Sequence, residues 1–200
     1  MRGTYAVAAA AALFVVAACS SSKPAPAAQT ETPFRLTGTI KEIMDSVVDP
    51  NADVLWDSVS TTINRQGTTE KQPRTDDDWK MVRRSAVALV EATNLLVIEG
   101  RKMAPAGDKS ENPDIELAPE QMQKLMDADR AAWVKNAHGL HDAAMVALKA
   151  IDAKDVKGLM DAGEGIDTAC ENCHKQYWYP DQKPSALTFR RTWEAHHQIQ

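Results

Sequence analysis

Apolar residues recur three and four positions apart through most of the chain. Leu36, Ile40, Ile43, Met44 and Val47 form one helical face. Asp49-Pro50 interrupts it, and Pro50 suits the first turn of a continuation through Val54, Trp56 and Val59. A kinked first helix is therefore predicted over 36–60. Residues 61–75 are polar, contain Gly67 and Pro73, and read as a loop. Thr75 with Asp78 three positions on resembles a capping box, and Asp76, Asp77 and Asp78 suit a helix N-terminus. The next stripe is Trp79, Val82, Ala86, Leu89, Thr93, Leu96, Val97 and Met103. Pro105, Gly107 and Pro113 mark a second loop over 104–118. A third helix begins near Pro119 and carries Met122, Leu125, Met126, Trp133, Leu140, Leu148 and Ile151. Asp152 reads as the N-cap of a fourth, with Val156, Leu159, Gly163, Ile166, Cys170, Cys173 and Tyr177 on one stripe and Pro180 at its end.

No run alternates with period two long enough to be a strand, so the fold class is all-α. The four segments have about 25, 28, 33 and 27 residues, roughly 40–50 Å each as helices. Segments of matched length with modest loops pack best as an antiparallel up-down-up-down four-helix bundle, here with a kinked first helix. The bundle spans 34–179. In the tail, 180–200, Leu187, Phe189 and Trp193 suit a short helix folded back onto it.

The N-terminal segment reads as an address. Its apolar run from Ala6 to Ala18 follows Arg2 and covers about 20 Å as a helix, short of a ~30 Å bilayer core. Residues 1–18 are thus a signal peptide. Val16-Ala17-Ala18-Cys19 resembles the bacterial lipoprotein signal, which implies lipid on Cys19; an ordinary cleaved secretion signal is the alternative. With Ser20 and no Asp after the cysteine, the resemblance to sorted lipoproteins implies the outer membrane rather than the inner. Residues 19–33 have no apolar period and read as a lipidated terminus and flexible tether for a domain working in the periplasm. The chain of 200 residues carries 23 basic against 28 acidic side chains, a formal charge of -5, with no basic stripe. That balance argues against nucleic acid as the partner class.

The chemistry lies in Cys170-Glu171-Asn172-Cys173-His174. C-x-x-C-H is the attachment pattern of c-type haem. Two thiols at this spacing can each add to one vinyl group of a porphyrin, and the next histidine is placed under the iron. A redox disulfide is the first alternative, but no βαβ pattern surrounds the pair. A zinc site is the second; zinc takes four ligands, there is no second cysteine pair, and His138 and His141 lack a finger spacing. Coincidence with an export signal favours one covalent haem c.

At these residues the chain resembles the cytochrome c′ family over 34–179: four helices, one C-x-x-C-H near the end of the last, and an aromatic, Tyr177, three positions after the histidine. Trp178 stands where members of that family often have a basic residue. The resemblance implies haem c, a periplasmic location and a homodimer through the first two helices. In such a bundle the start of the first helix lies beside the end of the fourth, so Met44 and His174 fall at similar height. Met44 is therefore the candidate distal iron ligand, with core filler as its alternative. Met103, Met122 and Met126 are lesser candidates at the same end, whereas Met81, Met145 and Met160 read as packing residues. Lys41 or Arg35 could meet a haem propionate. Gly163 could leave room for porphyrin or for close helix packing, and Trp56 is expected in the core away from the haem. His196 and His197 in the tail are weak candidates for adventitious metal.

The expected function is single-electron transfer by a periplasmic monohaem cytochrome. The alternative is a five-coordinate haem protein that binds NO or CO. No acid, base or nucleophile constellation accompanies the motif, so no enzyme is expected. The acidic chain suggests a redox partner protein with a basic patch.

Overall fold

Thr39 starts the first helix. Its hydroxyl accepts from the Glu42 amide at 3.3 Å, and its own amide donates to Glu42 Oε2 at 2.8 Å, the reciprocal bonds of a capping box. The next two amides, of Ile40 and Lys41, donate to the carbonyls of Lys102 and Met103 at 2.8 and 2.9 Å. This computed structural model describes residues 33–180. The predicted leader 1–18, Cys19, the tether, and the tail with Leu187, Phe189, Trp193, His196 and His197 lie outside the described residues, apart from the boundary residues Pro33 and Pro180.

The described residues are mostly helical, with one small sheet. Helix α1 (Ile40–Ile43) runs into a π-helical turn, Met44–Val48, and then into α2 (Asp49–Ser58). The turn has a sequence cause. Pro50 has no amide to donate and its ring crowds the carbonyl four residues back. The helix widens there, and the Asp49 amide reaches back five residues to the Met44 carbonyl. The Asn51 side-chain amide satisfies Val47 O at 2.7 Å.

A β-hairpin stands where a loop was expected: β1 (Ser60–Asn64) pairs antiparallel with β2 (Gly67–Lys71). Both of its faces are exposed, the Ile63 side chain included. No face is buried, so no alternation marks it in the sequence. β-Branched threonines and the positive φ of Gly67 support it instead.

Helix α3 (Asp76–Leu96) opens with the Thr75–Asp78 capping box. It ends seven residues before Met103, because its last carbonyls are taken up by side chains. Arg101 Nε donates to Leu95 O at 2.8 Å, Trp133 Nε1 to Leu96 O at 2.8 Å, and Arg130 to Val97 O at 2.6 Å. The predicted third helix is two, α4 (Pro119–Ala128) and α5 (Arg130–Asp152), broken at Asp129, whose carboxylate caps the Ala132 amide at 2.9 Å. Asp155, not Asp152, caps α6 (Val156–Tyr177), accepting from Gly158 N at 2.9 Å. Asp152 ends α5 and pairs with Arg83 at 2.7 Å. Lys154, at φ 52°, makes the reversal between the two helices.

Packing contacts join α3 to α5, α5 to α6, and α2 to both α3 and α6. Leu55, Leu89, Leu159 and Ile166 fill the shared core, and Ala86, Ala144 and Ala147 let helix backbones approach. Leu36 precedes the first helix and is exposed, as are Met81, Met145 and Met160, contrary to their expected packing roles. No helix among the described residues is long and apolar enough to cross a membrane.

Candidate functional site

Cys170, Cys173 and His174 stand at i, i+3 and i+4 in the last turns of α6, on one face. They line a cavity together with Met44, Val48 and Asp49 from the first helix, Leu96 from α3, and Trp133, Asn136, Ala137 and Leu140 from α5. The structure thus brings Met44, at the opening of the π turn, to the same cavity as the C-x-x-C-H residues. Met103, Met122 and Met126 do not line it: Met103 and Met126 are buried and Met122 half-buried in the core.

Electrostatics follow from burial. Cys170 and Cys173 are free thiols. Burial pushes both up to about 12, with Asp49 and Asp167 adding to the rise at Cys170. Burial lowers the pKa of His174 against the opposing pull of Glu171, so its imidazole is neutral at pH 7 with a lone pair to offer.

The aromatic surroundings of His174 were only partly foreseen. Tyr177 is buried, edge-on to Trp133 at 4.9 Å, and its hydroxyl has no hydrogen-bond partner among the described residues. Trp178 and Tyr179 both lie edge-on to the His174 ring, at 5.0 and 5.9 Å. Asp49 and Asn136 also escaped the sequence reading. Neither has a motif, though Asp49 directly precedes the helix-disrupting Pro50.

Other expectations sort cleanly. Lys41 pairs with Asp108 at 3.0 Å and Glu111 at 3.5 Å, while Arg35 is exposed and neither lines the cavity. Gly163 makes room for Trp56: a Cβ there would lie 3.1 Å from the indole Cδ1, and Trp56 Nε1 donates to Gly163 O at 3.1 Å. Trp56 is half-buried against the core and does not line the cavity. His138 is exposed and His141 sits 3.4 Å from Asp142. Among the described residues no group of three or more His, Cys, Asp or Glu side chains is placed to hold a metal ion. No family model, curated protein or solved structure matches the chain.

The donor set suits a covalent haem: two unbridged thiols and a neutral imidazole on one helix face, a thioether from the first helix lining the same cavity, and mainly apolar walls. The free volume, about 20 Å³, holds little more than one water, so the walls must part to admit a porphyrin.

Proposed function

We propose that this chain is a periplasmic c-type monohaem cytochrome that passes single electrons, held at the membrane through lipid on Cys19. In this reading the first helix, α3, α4–α5 and α6 form an antiparallel up-down-up-down bundle like that of the cytochrome c′ family. The observation that carries it is the convergence of Met44 with Cys170, Cys173 and His174 on one cavity.

Each residue has a separate task. Cys170 and Cys173 are the points of covalent attachment, and their protonated state keeps two charges out of an apolar site. His174 would offer its neutral imidazole to the haem iron, and Met44 would offer its thioether. Leu96, Trp133, Ala137 and Leu140 line the same cavity with apolar side chains. Haem c, when bound, supplies a one-electron iron couple whose potential is raised by a methionine ligand. No catalytic step is assigned to the chain. Its redox partner is a protein with a basic patch facing this acidic surface.

Optical spectra of the mature protein, made with a cytochrome c maturation system, test the reading. Covalent haem with a low-spin spectrum is expected, turning high-spin in Met44→Ala. A high-spin wild type that responds to CO or NO would replace electron transfer by gas binding and return Met44 to packing. Absence of covalent haem overturns both.

A further inference from the structure

We propose that Trp178 and Tyr179 are positioning residues that fix the ring plane of His174 and keep water from it; this rests on His174 being the proximal ligand. The geometry begins at the helix end. The His174 carbonyl accepts two amides, from Trp178 at 2.7 Å and Tyr179 at 3.0 Å. The helix therefore closes at Trp178, its C-cap, and the side chains of Trp178 and Tyr179 lie against the His174 imidazole. Trp178 meets the ring at 5.0 Å and 88°, Tyr179 at 5.9 Å and 65°, and the two aromatics touch each other at 5.4 Å. Edge-to-face pairs at these separations are attractive and directional.

Both aromatics are anchored from outside the cage. The Tyr179 hydroxyl donates to Glu171 Oε1 at 2.6 Å, and Glu171 is paired in turn with Lys175 at 3.3 Å. The Trp178 carbonyl accepts from Leu117 N at 2.8 Å, which ties it to the loop before α4. Its side chain also meets Glu116, which Ser110 Oγ holds at 2.8 Å. A metal-bound histidine ordinarily donates its second ring N–H to a carboxylate, carbonyl or water, and that bond sets its orientation. No side-chain hydrogen bond to the His174 ring is formed among the described residues. The two aromatic edges take over the task, on a ring that would otherwise rotate about its side-chain torsions.

The test compares full-length wild type with Trp178→Ala and Trp178→Phe, haem-free and haem-loaded. In haem-free protein the His174 ring protons are expected as one set, displaced by ring currents. The displacement should be lost in Trp178→Ala and kept in Trp178→Phe. In the ferric haem protein Trp178→Ala should broaden the low-spin EPR signal. It should also lower the midpoint potential by about 59 mV, a tenfold change in the one-electron equilibrium constant, because water beside the ligand favours the more positive ferric state. Trp178→Phe should restore both. Unchanged His174 resonances in haem-free Trp178→Ala, or an unchanged EPR signal and potential in its haem form, overturn the proposal. Failure of wild type to take up covalent haem overturns the haem reading instead, and the haem-free resonances still decide whether the cage orders the ring.

Discussion

Arg101→Met is expected to lower stability by about 3 kcal/mol. Arg101 is 7% exposed and bridges two chain segments. Its Nε donates to Leu95 O at 2.8 Å, and a terminal nitrogen donates to Gly38 O, one residue before the N-cap of α1. Hydrogen bonds from charged donors contribute about 1.5–3 kcal/mol each, so the two together give roughly 3–6. Methionine is similar in length and leaves no buried charge, which recovers part of the guanidinium's desolvation cost and sets the net near the lower figure. At about 2–4 °C per kcal/mol for a domain of this size, the melting midpoint should fall by roughly 6–12 °C in thermal unfolding followed by circular dichroism. Lysine presents one ammonium rather than a planar fork, so Arg101→Lys should recover less than half of the loss. Amide exchange adds a local readout. Ile40 and Lys41, which donate to the carbonyls of Lys102 and Met103, should exchange faster in the variant. A fall of less than about 2 °C would show that the two carbonyls find water without cost, and that Arg101 does not anchor the helix carrying Met44.

The helix glycines should respond oppositely to alanine. Gly165→Ala meets only Ala143 Cβ at 4.0 Å and should gain about 1 kcal/mol in helix propensity, whereas Gly163→Ala drives a methyl to 3.1 Å from Trp56 and should lose at least that gain. Equal gains by chemical denaturation would show that the Trp56 contact carries no weight. Tyr177→Phe should be neutral or stabilising by about 1 kcal/mol, because the hydroxyl is buried and the Asn136 amide beside it donates to Ala132 O and Gln176 Oε1; a clear loss of stability would reveal a bond to that hydroxyl. Burial first, and Glu171 second, raise the folded pKa of Asp167 above its ordinary 3.8. Such a group favours folding below its unfolded pKa, and that benefit is lost as pH rises through the folded value. Asp167→Asn should therefore raise the melting midpoint at pH 7, with the gain fading as the pH falls toward 3.8 and Asp167 takes up its proton. A gain independent of pH over that range would assign the effect to packing.

Helical period carried the sequence reading furthest where one face is buried along its length, and it failed where other forces decide. The stripes of α3, α5 and α6 were legible for that reason, and so was the common face of Cys170, Cys173 and His174. The hairpin over 60–71 was not, since neither of its faces is buried and its strands show no alternation. Asp152 reads as the N-cap of the fourth helix, but Asp155, three positions on, caps α6. The choice falls to the left-handed turn at Lys154 and to the Arg83–Asp152 pair, a contact from a distant part of the chain. The end of α3 is likewise set by Arg101, six residues past the carbonyl it meets, and by Arg130 and Trp133, which reach its carbonyls from α5 and leave no local mark.

The first helix shows both outcomes at one residue. Pro50 announced a disruption, but the sequence could not say that the chain would answer by widening into a π turn rather than by bending alone. Widening rotates the residues of α2 relative to a regular helix. Ala52 and Leu55 consequently face the core; of the expected inward residues Val59 is buried, while Val54 and Trp56 are half-buried. The same widening begins at Met44, whose carbonyl receives the displaced Asp49 amide, and Met44, Val48 and Asp49 all line the cavity that Cys170 and His174 also line. Pro50 thereby acts on the site without touching it. An alanine there would supply the missing amide, allow the regular i to i−4 ladder to close, and rotate either Met44 or the α2 core face out of its present register.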